Sequence, residues 1–318
     1  MKPANVSGSD LVRREDAGVS APRVSVIIPF HQGFDFLRSC LRSLRTQTLG
    51  AECFEIIAIN NDPGGEEAAA VAAEFPEVRW LAEPTVGSYS ARNRGIRAAR
   101  GEWLAFTDAD CVPTSEWLER GLAAVATGDY EMVGGRVDFI DPVGRAKNAC
   151  EWLEEEFTLL AKQRYSVESL GVAATANLFA RRELFDRVGG FETRLMSYGD
   201  GEWTKRAIAA GARLGYADDA LVRHPRRSSF FDLTRKAVRV GGDRLAYLRH
   251  EGASGWELLG GVFRMSPLDV RLHWRALTFP ADIGPVQRGW IMVLATTMSA
   301  LAMGERARVL LGFRSYRG

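Results

Sequence analysis

The sequence predicts a doubly wound α/β protein with a mostly parallel sheet, followed by a helical C-terminal extension. Three observations predict it. Apolar, often β-branched runs alternate with helical patterns from Val24 to Thr107, the rhythm of a parallel sheet flanked by helices. Those runs end in polar turn residues, as at Asn60-Asn61-Asp62-Pro63-Gly64-Gly65. After Arg227 strand patterns cease and helical ones take over. A chain of 318 residues, 46% hydrophobic, buries a sizeable core.

Val24-Ser25-Val26-Ile27-Ile28-Pro29 is short, β-branched and ended by proline, so it reads as the first buried strand. Phe34 to Leu49 follows as a helix, with Phe34, Leu37, Leu41 and Leu44 on one face. Phe54 to Ile59 is the second strand, 66–75 a helix and Val78 to Leu81 a short strand. Ser88 to Arg100 is a helix closed by Gly101. Glu102 to Thr107 is the next strand. Helix 114–126, strand 131–139, helix 145–164 and strand 171–180 come after it. Helix 199–210 and the short strands 214–216 and 220–222 complete the body. Phe230 to His250 reads as a long basic helix interrupted at Gly241-Gly242.

Lys+Arg (41) and Asp+Glu (40) nearly cancel, for a net charge of +1. Such a balance gives no global field for nucleic acid. The four cysteines, Cys40, Cys53, Cys111 and Cys150, form no paired motif and read as reduced thiols of a cytosolic protein. Residues 1–23 are polar, without the apolar run of a signal or anchor, and read as a flexible tail. The longest uncharged stretch, Gly289 to Gly304, is shorter than the roughly 20 apolar residues of a membrane span. It fits a buried or partner-packed helix. It also fits a helix at a membrane surface, because Arg306, Arg308, Arg314 and Arg317 follow it.

Asp108-Ala109-Asp110 leaves the carboxyl end of the run Trp103 to Thr107. That edge of an α/β sheet is where ligands bind. Two carboxylates there suit Mg²⁺ or Mn²⁺ together with a substrate phosphate, although Asp is also an ordinary turn residue. Pro29-Phe30-His31-Gln32 and Asn60-Asn61 end neighbouring strands and shape a nucleotide pocket. There the Asn61 amide can meet a base edge and His31 can stack on it. Gly87-Ser88 opens a helix whose free amides suit an anion, with Arg92 one turn in. Asp200 and Glu202 stand at a helix start. They fit the helix dipole, and one of them fits a general base for an acceptor hydroxyl. His224 follows a short strand and is either a metal or diphosphate contact or a structural histidine.

Taken in order, these segments resemble glycosyltransferase family 2, the inverting nucleotide-sugar enzymes of GT-A fold. The resemblance runs from Val24 to His224. It rests on Val24 to Pro29, on Ala91-Arg92-Asn93-x-Gly95-Ile96 with Gly101-Glu102-x-Leu104-Ala105-Phe106-x-Asp108-x-Asp110, and on Asn177-Leu178-x-x-Arg181-Arg182-x-x-Phe185 with Gly189-Gly190-Phe191. It implies a GT-A domain over 24–227, with a nucleotide-binding half (24–110) and an acceptor-binding half (111–227), then a helical extension (228–318).

By this resemblance Asp108, Asp110 and His224 hold Mn²⁺ or Mg²⁺. Pro29, His31, Asn60, Asn61 and Arg92 contact the donor, and Asp200 is the catalytic base. Asn177, Glu202, Trp203 and Arg206 support the acceptor side, Trp203 or Trp152 facing the sugar and Arg206 near phosphate. The pattern is broken where Gly199 replaces the usual Glu and where Asn60 and Asn61 replace acids. An amide still favours a UDP-sugar donor. The acceptor implied is a saccharide or glycolipid in cell-envelope or exopolysaccharide synthesis, the enzyme being cytoplasmic or peripheral at the inner face of the cell membrane. One alternative is a lipid-linked acceptor, with the C-terminal helices touching the membrane through Arg235, Lys236, Arg239 and Arg244. Another is a catalytically silent sugar-nucleotide-binding protein, against which Asp108, Asp110 and Asp200 argue. A nucleotidyltransferase would carry a Gly-rich basic loop after its first strand, and Pro29 to Gly33 is not one.

Overall fold

A computed structural model describes residues 21–62, 66–127, 129–263 and 283–315. The predicted tail up to Ser20, the Pro63-Gly64-Gly65 end of the predicted turn, and Arg317 lie outside these residues. The first half follows the predicted alternation: β1 (Val24–Phe30), α1 (Phe34–Leu44), β2 (Phe54–Asn60), α2 (Glu66–Glu74), β3 (Arg79–Ala82), α3 (Ser88–Ala98) and β4 (Trp103–Phe106). Then come β5 (Val112–Pro113), α4 (Trp117–Thr127), β6 (Met132–Ile140), α5 (Ala149–Phe157), α6 (Gln163–Leu170), β7 (Leu178–Arg181), α7 (Arg182–Val188), α8 (Gly199–Ala209) and β8 (Leu214–Pro225). The extension holds α9 (Phe230–His250), α10 (Gly255–Phe263) and α11 (Pro285–Leu310).

The strands form one sheet in the order β3-β2-β1-β4-β7-β6-β8-β5. β1 pairs in parallel with β2 and β4, β2 with β3, and β6 with β8. β7 runs antiparallel to both β4 and β6, and the short β5 antiparallel to β8. The sheet is therefore mixed, with its parallel half at the β3-β2-β1-β4 end.

β1 is buried along its whole length, as a strand covered on both faces must be. Val26 and Ile28 face a core with Leu37, Leu41 and Trp117, whereas Ile27 faces one with Ala91, Phe106 and Trp203. Helix α3 lies close to the sheet at Gly95, where an added Cβ would sit 2.7 Å from Ile27 Cγ2 and 2.9 Å from Ile59 Cδ1. Gly95→Val is expected to destabilise the fold by about 1–3 kcal/mol through overpacking, read as a lower denaturant midpoint at unchanged slope.

Several elements differ from the sequence reading, which also lacked β5 and α7. The predicted strand 171–180 shrinks to β7, preceded by a 3₁₀ turn at Thr175–Asn177. The predicted helix 145–164 is broken between α5 and α6. Gln163, the first residue of α6, ties the two altered regions together: its side-chain amide donates to the Gly135 and Asn177 carbonyls (2.8 Å each) and accepts from Ala174 N (2.9 Å). The two short strands 214–216 and 220–222 merge into β8, with a register irregularity opposite Gly135 and Arg136. Helix α9 runs unbroken through Gly241-Gly242.

The predicted stretch 289–304 lies within helix α11, one side of which is packed while Trp290, Val293 and Leu301 stay exposed. The helix packs on α9 and α5 and buries Ile291, Ala295, Ala302 and Val309. No described helix is long and apolar enough to cross a membrane.

Candidate active site

β1, β2 and β4 end at one edge of the sheet, Phe30 opposite Asn60 and Ile27 opposite Phe106. Asp108 and Asp110 emerge from β4 at this edge. The chain then forms β5, whose Val112 pairs with Arg223 of β8. That pairing delivers His224 to the aspartates: its Nε2 lies 3.6 Å from Asp110 Oδ2. Its Nδ1 is 2.6 Å from the Pro225 carbonyl oxygen. A proton on Nδ1 donates to that carbonyl and leaves the Nε2 lone pair turned toward Asp110, the arrangement of a metal-ligating histidine.

Ligand atoms of Asp108, Asp110, Cys111 and His224 all lie within 4.8 Å of one another. Burial pushes the Asp110 carboxyl up and Asp108 adds to this, while His224 and Arg227 oppose it. Burial and both aspartates also push the Cys111 thiol up. Sequence reasoning missed Cys111 as a neighbour of this group; its position directly after Asp110 was the available signal.

Arg92 is 4% exposed and forms an ion pair with Asp108. Helix α3 therefore turns the Arg92 guanidinium inward. Its Nε and the hydroxyl of Thr107 are buried without a hydrogen-bond partner among the described residues.

Asp200 sits in the first turn of α8, entered through Tyr198 in the left-handed region (φ 66°). Its Oδ1 accepts from Gly201 N at 2.8 Å and from the Tyr89 hydroxyl at 3.4 Å, and its Oδ2 accepts from Thr175 N at 3.2 Å. Burial pushes this carboxyl above its usual range, and the amides of Thr175 and Gly201 with Arg92 pull against that. The structure thus brings together Asp108, Asp110, His224, Arg92 and Asp200. Tyr89 and the Thr175 amide join them as contacts that residue types alone did not reveal.

Other predicted site residues are engaged elsewhere. Asn61 donates its side-chain amide to the carbonyls of Glu83 and Thr85 and accepts from Gly87 N, all at 2.8 Å. Both of its donors hold the loop before α3, so the uracil contact expected of it has no free N–H. Asn60 accepts from Asp62 N at 2.9 Å. Pro29 is buried in β1 and His31 is exposed just beyond it.

Asn177 is 0% exposed. It ties Trp117 to the carbonyls of Arg136 and Ala220, which is a core role. Trp203 is also 0% exposed and stacks on Phe185 at 4.2 Å; it cannot face a sugar. Glu202 pairs with Arg206 at 2.6 Å, and Arg206 also donates to the Val188 and Gly190 carbonyls. These two side chains brace the 188–190 turn.

Of the four cations predicted on the basic face of α9, Lys236 and Arg239 turn inward, whereas Arg235 and Arg244 stay exposed. Lys236 donates to Glu154 Oε1 at 3.1 Å and to Thr158 Oγ1 at 3.2 Å. Glu154 is buried and also pairs with Arg227. Burial, aided by Arg227, brings the Lys236 ammonium down to about 8.

Comparison with known proteins agrees with this architecture. The family model described as Glycosyl transferase family 2 matches residues 25–189. Glycosyltransferase AglE of Haloferax volcanii is 36% identical over 251 residues, covering 75% of this chain and 81% of that protein. Uncharacterized glycosyltransferase EpsJ of Bacillus subtilis is 28% identical, over 74% of this chain and 72% of its own length. Among solved structures, the mannosyltransferase PcManGT from Pyrobaculum calidifontis, in complex with GDP-Man and Mn²⁺, superposes with a TM-score of 0.60 at 18% identity, covering 92% of this chain and 88% of that one. S. aureus TarS 1-349 superposes with a TM-score of 0.52 at 19% identity, over 91% and 83%. The chain belongs to glycosyl transferase family 2, and is an inverting nucleotide-sugar glycosyltransferase with a GT-A-like fold.

Proposed function

We propose that the enzyme uses a divalent cation, Mn²⁺ or Mg²⁺, and moves a sugar from a nucleoside-diphosphate donor to a hydroxyl of a saccharide or glycoconjugate acceptor. One observation carries this reading. A compact oxygen and nitrogen ligand group, Asp108, Asp110 and His224, lies at the sheet edge, and Arg92 links its Asp108 to the neighbourhood of the lone carboxylate Asp200.

The residues fit the cation. Asp110 and His224 present an oxygen and an imidazole lone pair to the same point, a donor set suited to Mn²⁺. Asp108 is steadied by Arg92. The likeness to a mannosyltransferase solved with GDP-Man and Mn²⁺ supports the same reading. When bound, the cation acts as a Lewis acid toward the departing diphosphate.

The chain's own residues supply the remaining chemistry. Asp200, ionised, takes the proton of the acceptor hydroxyl as its oxygen bonds to the anomeric carbon. The C–O bond to the nucleoside diphosphate breaks from the opposite face, and its electron pair leaves with the diphosphate. Arg92, buried between the two stations, offsets negative charge at Asp108 and Asp200. The β1 and β2 ends, with Pro29, His31 and Asn60, face the nucleoside. With the Asn61 amide committed to the 83–87 loop, preference for uracil has lost its residue, so UDP- and GDP-sugars are tested side by side.

The test is a binding and hydrolysis screen of nucleotide sugars on the full chain, with and without Mn²⁺ or Mg²⁺. Metal-dependent turnover of one donor is the expected result. Failure to bind any nucleotide sugar under either metal would overturn the proposal.

A further inference from the structure

Helix α9 belongs to the C-terminal extension, yet it grips the loop that leads into Asp200. Arg239 and Asp243, one helical turn apart, both point at this loop. Arg239 Nε donates to Ser197 Oγ at 2.8 Å. Met196 N donates to Asp243 Oδ2 at 2.9 Å. Asp243 is 0% and Ser197 8% exposed, so both bonds are shielded from water. One turn further, the Tyr247 ring packs edge-on against Tyr198 with centroids 6.0 Å apart.

The gripped loop ends in an unusual backbone. Tyr198 has φ 66° and ψ 2°, a conformation that a bulky residue holds only when its surroundings impose it. Tyr198 is the cap of α8, and Asp200 is the second residue of that helix. The direction of entry into α8 therefore aims the Asp200 carboxylate at Tyr89 and at the Thr175 amide.

Helix α9 is itself pinned beside Asp243. An added Cβ at Gly242 would lie 2.9 Å from Glu305 Cγ, and one at Gly241 would lie 3.3 Å from the Ala302 carbonyl oxygen. The two glycines that look like an interruption in sequence let α11 press on α9 next to the residues that hold the loop.

We propose that Asp243, assisted by Arg239, is a positioning residue for the Asp200 base, so that the C-terminal extension completes the active site. The proposal rests on Asp200 being the base. The contact is a clasp: Asp243 fixes the backbone at Met196, Arg239 fixes Ser197, and Tyr198 carries the constraint to α8.

The experiment uses the full chain and hydrolysis of the nucleotide sugar selected by the donor screen. It compares the parent with Asp243→Ala, Asp243→Asn, Arg239→Met and Asp200→Asn. Asp243→Ala is expected to lower kcat by about 10- to 100-fold, the usual effect of misplacing a reacting group, with donor KM near the parental value. The acid limb of its kcat profile moves to lower pH, because a loosened Asp200 regains water; the ionisable groups around that carboxylate, Tyr89, Arg92 and Asp108, are unchanged in the variant. Asp243→Asn restores kcat, because its amide oxygen accepts the same Met196 N–H.

Parental kcat and acid limb in Asp243→Ala would overturn the clasp, as would a loss that Asp243→Asn does not restore. Should Asp243→Ala fail to fold, Arg239→Met decides: reduced kcat at parental donor KM supports the clasp and parental kcat overturns it. Asp200→Asn that retains parental turnover would instead overturn the assignment of the base.

Discussion

Replacing Asp200 by Asn is expected to lower sugar transfer by about 10²- to 10⁴-fold, the range for loss of a general base, while donor affinity stays near the parental value. The substitution is close to isosteric. The amide oxygen of Asn can still accept from Gly201 N, the shortest bond to the Asp200 side chain at 2.8 Å, so that contact survives. What disappears is an anionic oxygen able to take the acceptor proton. The parent's pH profile should carry the same signature. Burial raises the Asp200 carboxyl above its ordinary value, and the base works only when ionised. Activity is therefore full above that raised value and falls as pH drops through it, giving an acid limb above the usual carboxylate range. Initial rates against pH, beside titration calorimetry of donor binding in parent and variant, test both statements. A variant with parental rates removes Asp200 from the reaction.

His224→Ala should weaken metal-dependent donor binding by at least about tenfold, the scale on which perturbed metal shells lose affinity, with little effect on binding in the absence of metal. The imidazole is fixed by its Nδ1 contact to Pro225 and faces Asp110 at 3.6 Å. Two roles separate here. A ligand shows its loss only with Mn²⁺ present, whereas a merely structural histidine weakens binding equally with and without it. Calorimetry of UDP and GDP binding across a Mn²⁺ titration reads the difference. Equal losses in both conditions would assign His224 to the scaffold.

The elements up to β4 were legible because each is a local pattern, such as the apolar run of β1 and the amphipathic face of α1, although α3 ends at Ala98, ahead of the predicted closure at Gly101. The aspartates were legible for the same reason, since they follow a strand whose end is a binding edge. β7 was only partly legible. It inserts antiparallel between β4 and β6, and nothing local in Leu178 to Arg181 specifies those partners. Residue type also says little about which way a polar group is used. Asn61, Arg206 and Glu202 carry chemistry suited to ligands, yet the structure commits Asn61 to the 83–87 loop and the other two to the 188–190 turn. Lys236 and Arg239 show the reverse error. A basic helix reads as a surface for membranes, but here burial turns these two cations toward Glu154 and Ser197.

The pairing of β5 with β8 has a consequence for biosynthesis. Asp110 reaches the ribosome exit early, but His224 lies on a strand made far downstream, and the two meet only when β8 pairs with β6 and takes β5 onto its other side. Domains fold as units during translation, and pairings between distant segments close last. A nascent or truncated chain that stops short of β8 thus carries the aspartates without the imidazole that completes their group. On the proposed reading of the cation site, such fragments lack the means to squander activated sugar, and competence to cleave the donor arrives with the same strand that completes the sheet.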